Sequence, residues 1–195
     1  MEAVVIAAGE GRRLRPVTER WPKPVLPIDG KPVIATLLRE LDAAGTTPVT
    51  VVVGHLGDQI RRLLAGLDVR FAAQPEPLGS ADAVRCAIAA GARAPFVVTV
   101  ADTLFAPGQI GRFLAAWRES GAAAALAPPL WGVGPELVQH LDHLPGPPLE
   151  LKVAFERAAG VERLELGPIR SLTEPSDLVA ENFVYLDAQH DERDL

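Results

Sequence analysis

The residues from Val4 to Ile34, VVIAAGEGRRLRPVTERWPKPVLPIDGKPVI, constrain this chain more than any other stretch. The apolar run from Ala3 to Ala8 reads as a fully buried strand that stops at Gly9. About twenty residues without helical or strand periodicity follow, a length that is uncommon inside compact domains and usually functional. They hold Gly9, Gly11 and four prolines, Pro16, Pro22, Pro24 and Pro27. They also carry Arg12, Arg13, Arg15, Arg20, Lys23 and Lys31 against Glu10, Glu19 and Asp29, in a chain whose formal net charge is −6. A Gly-rich, cationic loop leaving a buried strand suits a phosphate-bearing ligand. Glycines let backbone N–H groups approach, and Arg and Lys supply charge-assisted hydrogen bonds.

Past Pro32 the pattern becomes regular. Ile34, Leu37, Leu38 and Leu41 share one helical face over Val33 to Ala44, and Gly45 follows as a C-terminal cap. Val49 to Val53 reads as a second buried strand, Asp58 to Leu64 as a short helix and Val69 to Ala73 as a third strand. Gln74 to Ala81 is a turn opening a helix from Ser80 to near Ala90. A fourth strand spans Pro95 to Val100 and a further amphipathic helix Gln109 to Glu119. Strands alternating with helices at these lengths mean a parallel α/β sheet. Ligands of such sheets bind across the carboxyl ends of the strands. Gly9, Gln74 and Asp102 each fall just past a strand, so three separated segments converge on one edge.

Composition narrows the function classes. An excess of 25 Asp and Glu over 19 Lys and Arg argues against a general nucleic-acid or anionic-membrane surface. The single Cys86 rules out an internal disulfide framework and fits a reducing, cytoplasmic compartment. No apolar run reaches the length of a transmembrane helix, and no charged segment precedes the first apolar run. His140 and His143 have helical spacing, but Pro145 and Gly146 follow at once, so a metal site there is disfavoured. Cys86, Trp117 and Trp131 read as packing residues, His55 as packing or solvent exposed, and Asp191 to Asp194 as a frayed polar tail.

Gly9-x-Gly11-x-Arg13-Leu14, followed by Trp21-Pro22-Lys23-Pro24-Val25-Leu26-Pro27, resembles the signature loop of the sugar-1-phosphate nucleotidyltransferases, or NDP-sugar pyrophosphorylases. Gln74 through Ala81 resembles that family's second signature, Q-x-x-P-x-G-[TS]-A, although Ser80 also reads as an ordinary helix N-cap. A nicotinamide-binding glycine loop fits less well. It needs a third glycine opening a helix directly, whereas position 14 is Leu and Pro16 follows.

The resemblance implies a single three-layer α/β/α domain over residues 1–195, Rossmann-like, with a mostly parallel but mixed sheet. Residues 1–126 would form the nucleotide-binding core and 127–195 a shortened acceptor-side part. It implies transfer of a nucleoside monophosphate from a nucleoside triphosphate to a sugar 1-phosphate or similar phosphorylated acceptor, with Mg²⁺ and release of pyrophosphate. Arg13, Lys23 and Asp102 are the implied catalytic residues, with Asp102 on the metal. Ala8, Gly9, Gly11, Gln74, Gly79 and Ser80 are the implied nucleotide contacts. No nucleic-acid or membrane partner is implied, and homo-oligomer formation is left open.

Two departures weaken the acceptor side. Ala125-Leu126-Ala127 runs almost directly into Pro128-Pro129-Leu130-Trp131, leaving no room for the family's Glu-Lys-Pro hairpin. Aligned through Pro175 and Asp177, Ser171 stands where a second metal-binding aspartate is expected. These losses keep an alternative alive, a catalytically weak nucleotide-binding module with a regulatory or partner role.

Overall fold

The computed structural model describes residues 1–191, so the expected tail beyond Asp191 lies outside the described residues. Strand β1 (Glu2–Ala7) leads into the signature loop. That loop is more ordered than its lack of periodicity suggests. Three single-turn 3₁₀ segments, Arg12–Leu14, Val17–Glu19 and Lys23–Val25, are followed by a small hairpin of β2 (Pro27–Ile28) and β3 (Lys31–Pro32). Short 3₁₀ turns make local hydrogen bonds without any side-chain periodicity, which is why pattern reading passes over them.

After the hairpin come α1 (Val33–Ala43), β4 (Val49–Val53), α2 (Gly57–Leu63), β5 (Val69–Ala73), α3 (Ser80–Ala89) and β6 (Phe96–Val100). These agree with the sequence reading to within a residue or so at each end. Then follow β7 (Thr103–Leu104), α4 (Gln109–Ser120), β8 (Ala124–Ala127), β9 (Leu130–Val133), α5 (Pro135–Leu141) and α6 (Leu151–Arg157). The last elements are β10 (Val161–Arg163), β11 (Arg170–Ser171) and α7 (Pro175–Asp191).

One seven-stranded sheet has the order β10-β8-β9-β6-β1-β4-β5. β1 pairs in parallel with β4 and β6, as do β4 with β5 and β10 with β8. β9 runs antiparallel between β6 and β8, joined to β8 through Pro128-Pro129. The tight turn leaves no additional hairpin there, as the spacing of residues 125–131 requires.

Helices cover both faces. α1, α2 and α4 bury Ile34, Leu37, Leu41, Ile60, Phe113 and Leu114 against Val5, Val51 and Val97. α3, α5 and α6 bury Val84, Ala87, Leu137, Leu141 and Phe155 against Val4, Val52 and Val98. Neighbouring residues of one strand thus enter opposite cores, as a period of two demands, and the strands read as continuous apolar runs because both faces are covered. A third small cluster of Leu14, Leu26, Ile28, Val33, Leu104 and Leu172 lies under the signature loop. The chain leaves β1 toward β4 and β5 on one side and returns to place β6 on the other. The switch point of the sheet is therefore the crevice between the carboxyl ends of β1 and β6.

Candidate functional site

Four anchors shape the loop that follows β1. Leu14 is fully buried, a contribution of about 1.5–3 kcal/mol, and its burial turns the neighbouring arginines outward. Gly11 has φ 62°, and a Cβ there would lie 2.9 Å from the Thr18 methyl. The left-handed turn and the close packing both call for glycine. The Thr18 hydroxyl donates to the Gly11 carbonyl at 2.8 Å. His55 Nε2, 3.0 Å from the Thr18 carbonyl, carries the proton of that bond, and the Gln59 amide donates to the Arg20 carbonyl at 2.8 Å. The sequence marks His55 only as a packing or solvent-exposed residue and gives no signal at Thr18 or Gln59. Their partners are backbone atoms tens of residues away, which no local pattern reports.

The loop walls one side of a cavity of about 300 Å³ at the switch point, lined by Gly9, Gly11, Arg13, Lys23, Asp102 and Thr173 among others. Gly9 has no heavy atom within 4 Å of where a Cβ would stand. Packing therefore does not demand a glycine there, whereas a ligand approaching the backbone would. Lys23 sits in the Pro22–Val25 turn between the buried rings of Pro22 and Pro24. Its ammonium forms an ion pair with the Asp102 carboxylate, both side chains being mostly buried. Asp102 follows β6, held by the neighbouring Ala101 N–H bonded to the Ile6 carbonyl at 2.9 Å.

The other cations divide their work. Arg12 binds Glu10 at 2.7 Å, with Arg15 at 3.7 Å from the same oxygen. The Arg12 guanidinium, first by its hydrogen bond and then by its charge, holds the Glu10 carboxyl below its ordinary range. Among the described residues Arg13 has no carboxylate within ion-pair distance, which leaves its charge for a ligand. Among the described residues Asp102 is the one carboxylate lining the cavity, and no group of three metal-ligating side chains occurs. A single carboxylate beside cations fits the way Mg²⁺ is held, by one or two carboxylates with waters and phosphate oxygens.

Gln74, Gly79 and Ser80 lie past β5 and are not among the lining residues of this cavity. Gln74, only 5% exposed, donates to the Gly79 carbonyl at 3.0 Å and to the Asp82 carboxylate at 2.9 Å. The N-cap of α3 is Gly79, not Ser80. The Ser80 hydroxyl instead reaches across the chain, donating to Glu150 at 2.9 Å and accepting from the Leu151 N–H at 2.8 Å. It thereby satisfies the first turn of α6. The close backbone approach at Gly79 is made by Leu149, whose atoms would lie 2.5–2.8 Å from a Cβ there. Leu149 donates to Leu78 at 2.6 Å and accepts from Ala81 at 2.8 Å, so residues 149–151 are strapped onto the Gly79 turn.

On the opposite side, β11 pairs antiparallel with β7, bringing Ser171 opposite Thr103 and Arg170 opposite Leu104. Ser171 is exposed and within 3.3 Å of the Thr173 hydroxyl. Thr173, not Ser171, is the residue of this segment that lines the cavity. Ser171 and Thr173 are two residues apart with their hydroxyls 3.3 Å from one another, and it is Thr173 that borders the cavity. One Asp177 oxygen accepts from the Thr173 and Glu174 N–H groups at 2.7 and 2.8 Å. Those bonds hold its carboxyl below the usual range, and the charges of Lys23 and Arg13 lower it further.

The residues set aside from the sequence stay apart from the cavity. Trp117 is buried and donates to the Ala122 carbonyl at 3.0 Å. Burial, and then the nearby Asp82, raises the Cys86 thiol above its ordinary value, which makes it less reactive. No helix among the described residues is long and apolar enough to cross a membrane.

Comparison with known proteins bears on this site. The family model for the MobA-like NTP transferase domain matches residues 3–154. The low-salt glycan biosynthesis nucleotidyltransferase of Haloferax volcanii is 34% identical over 116 residues, which are 56% of this chain and 32% of that protein. The N-acetylmuramate alpha-1-phosphate uridylyltransferase of Neisseria meningitidis serogroup B is 37% identical over 110 residues, 53% of this chain and 48% of that one. The chain thus spans less than half the length of either curated relative. Among solved structures, a UDP-glucose pyrophosphorylase from Acinetobacter baumanii superposes with a TM-score of 0.81 at 17% identity, covering 94% of this chain and 92% of that one. At that identity the likeness is one of fold.

Proposed function

Because the chain belongs to the MobA-like NTP transferase domain family, we propose that it transfers a nucleoside monophosphate from a nucleoside triphosphate to a sugar 1-phosphate. The observation that carries this reading is the meeting of Gly9, Gly11, Arg13, Lys23 and Asp102 in one cavity at the switch point of the sheet. The acceptor class follows the 1-phosphate acceptor for which the Neisseria meningitidis relative is named.

In this reading an acceptor phosphate oxygen attacks the α-phosphorus in line, the bond to the bridging oxygen breaks, and pyrophosphate leaves with that electron pair. The protein has no covalent step to perform, so catalysis is positioning and charge stabilisation. Arg13 would meet the β- and γ-phosphates and neutralise charge growing on the bridging oxygen. Lys23 would hold the α-phosphate and the acceptor phosphate together, two anions that otherwise repel. Asp102 would hold Mg²⁺, which when bound supplies charge neutralisation on the triphosphate. The backbone of Ala8, Gly9 and Gly11 would approach the nucleotide. Gln74 would have to release Asp82 or Gly79 to reach a base edge, and Gly79 and Ser80 would act through the turn they shape. A triphosphate substrate suits a cytoplasmic location.

The test is pyrophosphate release from a panel of nucleoside triphosphates, each paired with sugar 1-phosphates. Release confined to particular pairs and abolished by chelation is the expected result. Because Lys23 occupies the Asp102 carboxylate, calorimetry with Mg²⁺ alone should give weak binding that tightens once nucleotide is added. Absence of both nucleotide binding and pyrophosphate release across the panel would overturn the reading.

A further inference from the structure

We infer that Asp177 is a positioning residue of this same site: it holds the turn that presents Thr173 to the cavity and braces the backbone that carries Asp102. The inference rests on the transferase reading above. Taken locally, Asp177 is the third residue of α7 reaching back to the N–H groups of Thr173 and Glu174. That is the returning half of a capping box, whose ordinary worth is helix stability alone.

Its place in the fold takes it further, because the turn is continuous with the wall of the cavity. Leu172 is fully buried and donates its N–H to the Asp102 carbonyl at 3.1 Å. Arg170 and Ser171 pair with Leu104 and Thr103 just before it, and Thr173 lines the cavity just after it. The backbone carrying Asp102 is therefore braced by the segment that Asp177 ends. The far end of that brace is also fixed. Asn182 accepts from the Asp29 N–H at 3.0 Å and donates to the Pro27 carbonyl at 3.2 Å, tying α7 to the hairpin that follows the signature loop.

The acceptor that holds the turn and the charge of the carboxylate separate by substitution. Asp177→Asn keeps an acceptor oxygen for the turn and removes the charge. Asp177→Ala removes both.

Steady-state kinetics, calorimetry with nucleoside triphosphate and thermal unfolding of the full chain test this. Asp177→Asn should keep kcat within about twofold of the parent value, because the turn retains its acceptor. Asp177→Ala should lower kcat about tenfold, because a displaced wall costs orientation of the reacting groups. If both variants keep the parent KM, kcat and affinity, and only the unfolding temperature falls, Asp177 is a helix cap and the inference is overturned. If Asp177→Asn lowers kcat as far as Asp177→Ala does, the acceptor of the turn is not what positions the wall and the inference fails. A parent that neither binds triphosphate nor releases pyrophosphate ends the transferase reading, and this inference with it.

Discussion

Lys23→Ala and Arg13→Ala should each lower the rate of pyrophosphate release by roughly 10²–10³, with much smaller changes in triphosphate affinity and in folding. In the proposed reaction both cations would face phosphates whose charge shifts most as the α-phosphorus becomes five-coordinate. Their loss therefore falls mainly on the transition state, appearing in kcat and kcat/KM alike. The geometry separates the two. Lys23 lies between buried prolines with its ammonium on Asp102, so its removal also leaves a mostly buried carboxylate without its partner. That carboxylate is then open to divalent cations, and Lys23→Ala should bind Mg²⁺ without nucleotide better than the parent does. Arg13, with no carboxylate in reach among the described residues, should leave metal binding unchanged when removed. Turnover within about twofold of the parent in either variant, against the 10²–10³ typical of such a donor, would show that the role assigned to it is wrong.

Gly79→Ala should give the largest loss of stability of any single methyl added near the site. Gly79 has φ 119° and ψ 175°, backbone space that only glycine occupies without strain. The added Cβ would also stand 2.5–2.8 Å from the oxygen, nitrogen and carbonyl carbon of Leu149, which are backbone atoms that cannot rotate away. Relief requires residues 149–151 to lift, breaking the bonds of Leu149 to Leu78 and Ala81 and of Leu151 to Ser80. Leu151, Ala154 and Phe155 of α6 are buried behind that strap. Strain and overpacking together come to about 3 kcal/mol or more, which for a chain of this size lowers the midpoint of thermal unfolding by roughly 6–12 °C. A midpoint within about 2 °C of the parent, less than 1 kcal/mol at this chain length, would mean that the strap is not rigid. Ser80→Ala provides the milder comparison. It leaves the Leu151 N–H without its acceptor while the backbone stays in place, a loss of about 1 kcal/mol.

Much of this architecture was legible without coordinates. Val49–Val53 and Phe96–Val100 are short, β-branched and flanked by helical periodicities, so their identity as buried strands of a parallel sheet follows from composition and spacing. Because parallel strands end at the same edge, the placement of Gly9, Gln74 and Asp102 on that edge followed as well. The two prolines around Lys23 and the glycine at position 9 marked the loop, since such residues do not gather by helix or strand preference.

Tertiary structure alone decided which of those residues meet. Strand propensity carries neither direction nor neighbour, so nothing in Leu130–Val133 announces that β9 inserts antiparallel between β6 and β8. The pairing of Lys23 with Asp102 spans 79 positions and depends on how the buried Leu14 and Leu26 seat the loop. Ser80 has the chemistry of an N-cap, yet its hydroxyl serves α6, because Leu149 is strapped onto the Gly79 turn and places the Leu151 N–H beside that hydroxyl. Ser171 and Thr173 lie on the same side of an extended segment, and only its register against Thr103 and Leu104 determines which one reaches the cavity. Local sequence sets backbone preference and side-chain periodicity. Contacts between distant segments are set by the packing of whole elements, where a shift of one or two residues exchanges the side chain that faces the site.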